Sequence, residues 1–333
     1  MQISRPDPII RLQKAFILSL GLWITHASAE SFEFIALGDT AYCPEVDNPR
    51  YERLIEKINT VEPVFSIHVG DIGNPQTGSC TDSVVDTVFE QFSRFTHPLI
   101  YTPGDNEWTD CRGPNDDPLE RLEKLRTKFF SKPVSLGNKP MPVVRQSDES
   151  DHKQMVENLR WTWHDVQFAT IHVPGGHNGL AIGTEQALLE FNTRNRANLD
   201  WIQRTFEIAK QDNARAVVLV FHVDMYRPLY NTSPGYTATK RTLRNETANY
   251  NGQVLFINGD SHDFLIDRPL VFEGRPREAI NVTRLVVEGS PSLRAMRITV
   301  DPDTPSVFGF MPLYIENEER TEAEAQLCSS FFR

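Results

Sequence analysis

Apolar residues in this chain gather into short runs that stop abruptly at polar clusters. SFEFIAL (31–37), VFSIHV (64–69), PLIYT (98–102), AVVLVFH (216–222) and VLFIN (254–258) are five to seven residues long and rich in β-branched and aromatic side chains, the pattern of buried strands. Between the first three runs the apolar positions recur every three or four residues instead. Tyr51, Leu54, Ile55, Ile58 and Val61 predict a helix over 51–61 ended by Pro63, and Val84, Val85, Val88, Phe89, Phe92 and Phe95 predict a second helix capped by Ser83. Strand, helix, strand, helix, strand over the first hundred residues implies a parallel sheet with right-handed crossovers.

The pattern continues with an amphipathic helix over 119–130 through Leu119, Leu122, Leu125, Phe129 and Phe130. Residues 131–158, with early prolines and glycines and the polar run RQSDESDHKQ, read as a long surface loop or flap, or as a disordered insertion. A hairpin is expected over 159–173, a turn at GGHNG (175–179) and the longest helix over 185–210. The polar, turn-rich stretch 225–251 should lie across the surface near the strand ends. VTRLVVEG (282–289) and AMRITV (295–300) read as strands of a second sheet joined by a Ser-Pro-Ser turn. Together these elements predict an α/β fold, a four-layer α-β-β-α sandwich in which two mixed β-sheets pack face to face with helices outside.

The chemistry sits where the apolar runs stop. Asp39, Asp71, Asp105 with Asn106, His222, and Asp260 with His262 each follow a strand, and ligands of open α/β sheets lie at the carboxyl ends of strands. One aspartate after a strand is more often a cap or turn former than a ligand; Asp39, Asp71, Asp105, His222, Asp260 and His262 in series are not so explained. Four carboxylates in one pocket cannot all stay ionised without cations, because like charges raise one another's pKa. Mixed oxygen and imidazole donors suit Zn²⁺, Mn²⁺ or Fe, and Mg²⁺ or Ca²⁺ less clearly. His177 and Asn178, in the turn after the hairpin, are candidates to reach a substrate phosphate. His68, His172, Trp108 and Trp201 read as packed core residues.

Composition refines this picture. Residues 1–29 combine Arg5, Arg11 and Lys14 with the apolar run AFILSLGLWITHA and an Ala-Ser-Ala site, which reads as a cleavable secretory signal, too short in its apolar part for the ~20 residues of a membrane span. Residues 30–333 are then expected to form one domain, secreted or periplasmic, with no transmembrane segment. Removing the leader takes away three bases and one acid and moves the formal net charge from -11 to -13. So acidic a chain lacks the cationic footprint of nucleic-acid binding. Four cysteines allow three disulfide pairings. Cys80 with Cys111 is expected, because their loops leave the ends of consecutive strands; Cys43 would then pair with Cys328 and tie the C-terminal tail near the site.

In series, GD, GD, GDNE, a strand-end His and GDSH resemble the calcineurin-like metallophosphoesterase superfamily, whose members carry D-x-H, GD, GNH(E/D), a strand-end His and GHxH. The resemblance spans about residues 34–264, some two thirds of the chain. It implies two divalent metal ions, with Asp39 and His262 on the first, Asp71 bridging, and Asp105, His222 and Asp260 on the second. It further implies a phosphoesterase, exported if the leader is a signal, that hydrolyses a small phosphorylated substrate, a mono- or diester, with a metal-bound hydroxide. The chain departs from the pattern at three kinds of position. Ala41, followed by Tyr42, stands where the family has the His of D-x-H; Asp105 and Asp260 replace an Asn and a His ligand; and Asn106 stands where the family has the His that serves the leaving group. An amide can donate a hydrogen bond but cannot transfer a proton. Ala41 and Asn106 therefore sustain an alternative, a non-catalytic or weakly active metal-binding homologue that binds a phosphorylated or anionic ligand. A glycosidase built on paired carboxylates is a weaker alternative, since it has no need of His222 and His262.

Overall fold

The structure is a computed structural model that describes residues 1–2, 30–270, 279–315 and 320–329. Residues 3–29, on which the leader expectation falls, lie outside the described residues. The first third contains β1 (Phe32–Leu37), α1 (Pro44–Val61), β2 (Ser66–His68), α2 (Asp82–Ser93), β3 (Leu99–Tyr101) and α3 (Pro118–Phe129). Next come β4 (Val144–Arg145), α4 (Gln146–Glu149), β5 (Leu159–Trp163), β6 (Val166–Thr170), α5 (Gly175–Asn178), α6 (Glu185–Gln211) and β7 (Ala216–Val220). The chain closes with α7 (Pro234–Ala248), β8 (Gln253–Asn258), β9 (Leu265–Asp267), β10 (Val282–Val286), β11 (Ala295–Val300), β12 (Phe308–Leu313) and α8 (Glu322–Ser329).

Two mixed sheets result, one of five strands in the order β12-β11-β1-β2-β3 and one of seven in the order β4-β5-β6-β7-β8-β10-β9. β1, β2 and β3 run parallel, as do β6, β7, β8 and β10; β11 and β12, and β4, β5 and β9, are antiparallel additions at the edges. The two-residue period of a strand divides the larger sheet between two cores. Val218 and Val220 of β7 join the cluster shared with the small sheet, whereas Val217, Leu219 and Phe221 pack with Trp201, Ile202 and Phe206 of α6 and Leu243 of α7. Between the sheets, Phe168 meets Phe34 edge-on at 5.5 Å and Phe65 at 5.2 Å, and stacks on Trp161 at 5.1 Å. On the helix side of the small sheet, Tyr101 packs against Phe129 of α3, and His68 against Tyr51 of α1 and Phe92 of α2. The four-layer arrangement expected from the sequence is the one observed.

Several local expectations need correction. β10 and β11 belong to different sheets: β10 pairs in parallel with β8, and β11 antiparallel with β1. The segment between them crosses over the strand ends, and a Cβ on its Gly289 would lie 2.5 Å from Asp39 Cβ and 2.9 Å from His262 Cγ. Helix α1 starts seven residues before Tyr51, with Pro44 in the first turn where its missing N–H costs nothing. Thr81, not Ser83, caps α2, its hydroxyl accepting from Val84 N. The stretch 225–251 contains α7, whose Tyr236 and Leu243 are buried. Residues 131–158 are not a free loop. Gln146 Nε2 donates to Ala197 O (2.7 Å), Asn158 Nδ2 to Asn198 Oδ1 (2.8 Å), and Glu157, fully buried, pairs with Arg126 (2.7 Å) and His172 (2.9 Å). Polar residues there are satisfied inside the protein, which a hydropathy pattern cannot distinguish from solvation. Both expected disulfides, Cys80–Cys111 and Cys43–Cys328, are formed, and among the described residues no helix is long and apolar enough to cross a membrane.

Candidate metal centre

Three of the four acidic strand ends use the same local device. Asp39, Asp71 and Asp260 follow Gly38, Gly70 and Gly259 past the ends of β1, β2 and β8, and adopt φ of 53°, 55° and 70°. Aspartate visits this left-handed region more readily than most residues, so the strand stops there and the carboxylate turns across its end. The neighbouring glycines clear space. A Cβ on Gly259 would lie 2.0 Å from Asp39 Oδ2, and one on Gly104 would lie 2.1 Å from Asp71 Oδ1 and 2.9 Å from His222 Cε1.

Asp39, Asp71, Asp105, His222, Asp260 and His262 are brought to one place. His222 Nε2 is 2.9 Å from Asp105 Oδ1 and 3.3 Å from Asp71 Oδ1, and His262 Nε2 is 3.6 Å from Asp39 Oδ1. Backbone amides position the acids: Asp71 Oδ1 accepts from Asp105 N and Asn106 N at 3.0 Å, Asp39 Oδ1 from Asp260 N at 2.9 Å, Asp105 Oδ1 from Gly175 N at 3.1 Å and Asp260 Oδ2 from Asp224 N at 3.1 Å. Both imidazoles are oriented from behind, His222 Nδ1 on Val69 O (2.8 Å) and His262 Nδ1 on Ser290 O (2.7 Å). Each donates its Nδ1–H outward and presents Nε2 to the cluster.

The electrostatics are those of a buried pocket crowded with carboxylates. Burial pushes Asp39 up and Asp71 well up, and burial with Asp105 raises Asp260 to about 7. Burial alone would also raise Asp105, but the facing His222 ring outweighs it and holds that carboxyl low. His222 is held well above its ordinary range by Asp71 and Asp105 despite its burial. Cation binding at pH 7 should therefore expel protons from the cluster. Calorimetric titration with Zn²⁺ in two buffers of different ionisation heat is expected to show net proton release; equal heats in both would contradict it.

Two overlapping triads have ligand atoms within 4.8 Å of one another: Asp39, Asp71 and His222, and Asp105, His222 and Asp260. His222 is common to both. Among the described residues Asp39 Oδ2 is buried without a hydrogen-bond partner, as a metal-ligating oxygen would be. The donor set, carboxylate oxygens with imidazole nitrogens in a cleared pocket, fits divalent transition metals.

The other candidates differ. Asn106 lies beside the cluster, its amide nitrogen donating to Tyr42 Oη (2.8 Å) and Gly73 O (3.0 Å). His177 is exposed at the rim, with Nδ1 on Ser233 Oγ (3.0 Å) and its ring edge-on to Tyr230. Asn178 is left out of the cluster: it is buried, donating to Gly235 O (2.9 Å) and accepting from Arg194. Two further residues emerge from the structure. Tyr42 places its hydroxyl 2.5 Å from Asp71 Oδ2, to which it donates, and 3.2 Å from His262 Nε2. Glu107, fully buried, accepts from Tyr101 Oη (2.6 Å) and Gly104 N (2.7 Å) and so braces the turn behind Asp71. Its place in GDNE was the available signal; for Tyr42, the third residue after Asp39, there was only proximity in sequence.

No protein family and no curated protein matches this chain by sequence. Solved structures do match in fold. A dimetal phosphatase from Danio rerio superposes with TM-score 0.52 at 12% identity, covering 80% of this chain and 92% of that one. PhoD superposes with TM-score 0.54 at 11% identity, covering 92% of this chain and 77% of that one. The chain has the calcineurin-like phosphoesterase fold.

Proposed function

We propose that this protein is an exported phosphoesterase that hydrolyses a small phosphate mono- or diester at a two-cation centre, with residues 30–333 acting as one unit. The observation that carries the reading is the gathering of four aspartates and two histidines at the strand ends, with Asp71 beside His222, His222 beside Asp105 and His262 beside Asp39. Asp39, Asp71 and His262 would hold the first divalent ion, and Asp105, His222 and Asp260 the second, with Asp71 placed between them. Such a pair supplies Lewis acidity toward a phosphoryl oxygen and lowers the pKa of water. The two disulfides and the apolar N-terminal stretch support export.

The chain's own groups orient rather than transfer protons. Asn106 Nδ2 is engaged with Tyr42 and Gly73, so it fixes the phenol; His177, with Nδ1 on Ser233, has Nε2 for a substrate oxygen at the rim. With an amide at position 106, departure of the leaving group has no imidazole acid beside it, which favours esters of acidic alcohols. Zinc- or manganese-loaded protein is expected to bind two ions, by elemental analysis, and to cleave aryl phosphates at rates that fall steeply as the leaving-group pKa rises. Two bound ions without cleavage of any mono- or diester would instead support the second reading, a non-catalytic anion-binding homologue, which the Ala41 and Asn106 departures favour. Absence of bound metal would reject both.

A further inference from the structure

The C-terminal helix is fastened to the loop that carries Asp39 and Tyr42 at two separate points. Cys328 of α8 is bonded to Cys43, the residue after Tyr42. Arg320, ahead of α8, directs Nε to Asp47 Oδ1 (3.1 Å) and Nη2 to Asp47 Oδ2 (2.5 Å). Asp47 is fully buried, and its Oδ2 also accepts the backbone N–H of Cys43 (2.9 Å). A third tie reaches the far side of the same cation position. Arg320 Nη2 lies 3.1 Å from Ser290 Oγ, while the Ser290 carbonyl holds His262 Nδ1 and the Ser290 N–H donates to Asp39 O at 2.8 Å.

We infer that Arg320 is a positioning residue for the first cation position, and that the Cys43–Cys328 disulfide is the latch that keeps it in place; this rests on the two-cation reading above. A planar guanidinium forked onto a buried carboxylate defines direction as well as distance, which an ammonium cannot. Its second contact sets Ser290, and Ser290 sets both the His262 ring and the Asp39 backbone. A terminal arm frays unless tied down, and the disulfide supplies the tie. The second position is held chiefly by other contacts, Asp105 on Gly175, His222 on Val69 and the Asp260 carboxylate on Asp224, with Asp260 N to Asp39 Oδ1 as its link to the first. Loosening the arm should therefore act on one cation and not the other.

The test uses the full chain loaded with Zn²⁺, with stoichiometry read by elemental analysis and release read with a colorimetric chelator. Wild type is expected to hold two ions. Arg320→Ala, and the double variant Cys43→Ser/Cys328→Ser, are expected to release one of them about 10- to 100-fold faster while the other leaves at the wild-type rate. Both cysteines are replaced together because a lone Cys43 thiol beside the site is itself a zinc ligand. Arg320→Lys should fall between, keeping the charge but losing the fork. Variants that keep both wild-type release rates, or that lose both ions in parallel with a fall in melting temperature, overturn the inference alone. A wild type that binds no zinc overturns it together with the two-cation reading.

Discussion

Asp71→Asn is expected to empty both cation positions at once and to reduce phosphoesterase activity on the order of 10³-fold. The substitution is nearly isosteric, so the reason is charge and position. Asp71 Oδ2 faces Tyr42 and Oδ1 faces His222, with two backbone amides holding the group between the halves of the cluster. Asp39→Asn should mainly empty the first position and Asp105→Asn the second, so elemental analysis of the three variants separates a shared ligand from two private ones. The metal-free protein should respond in the opposite sense. Burial holds the Asp71 carboxyl well above its ordinary value, so its contribution to folding is fully present below about pH 4 and is lost as pH rises toward that raised value. At pH 7 metal-free Asp71→Asn is therefore expected to melt no lower than metal-free wild type, while the gain in melting temperature on adding Zn²⁺ disappears. If Asp71→Asn keeps two ions and full activity, Asp71 is an ordinary turn aspartate and the functional reading fails.

The parts of this site that sequence made legible are those where one short pattern carries two messages. An apolar run that ends in Gly-Asp announces both the end of a strand and a carboxylate across it, and it does so at Asp39, Asp71 and Asp260 without help from distant residues. The alternation of β7 likewise shows up as continuous apolar character because both of its faces are covered. Illegible were features whose partners are remote. Tyr42 stands out in sequence only as the neighbour of Ala41 until Asn106, 64 residues away, and His262, 220 away, are seen to meet its hydroxyl. Gln146, Glu157 and Asn158 read as solvated until their buried partners on α3, on α6 and at His172 just past β6 are known. Local periodicity marks β10 and β11 as strands but carries nothing about which sheet takes each, so the pattern alone puts in one sheet two neighbouring strands that belong to two.

Gly104→Ala is expected to disable the centre although every candidate ligand residue is unchanged. Gly104 follows β3 and its φ is not in the left-handed region, so the argument is one of space and not backbone strain. An added methyl would lie 2.1 Å from Asp71 Oδ1, 2.5 Å from Asp71 N and 2.9 Å from His222 Cε1. None of these atoms can yield cheaply. The Asp71 amide belongs to a turn, the His222 ring is pinned to Val69, and Gly104 N is itself bonded to buried Glu107. Asp71 and His222 must therefore move apart by a substantial fraction of an ångström. Misplacement on that scale costs about 10²-fold in rate, and the overpacking costs roughly 1–3 kcal/mol of stability. Gly309→Ala is the matching control, because a methyl there meets only Thr299 Cβ at 3.7 Å, an ordinary contact. Thermal unfolding, elemental analysis and rate measured on both variants decide the matter. A Gly104→Ala protein that retains two ions and near wild-type activity would mean that the close approach of β3 to Asp71 and His222 is incidental to the centre.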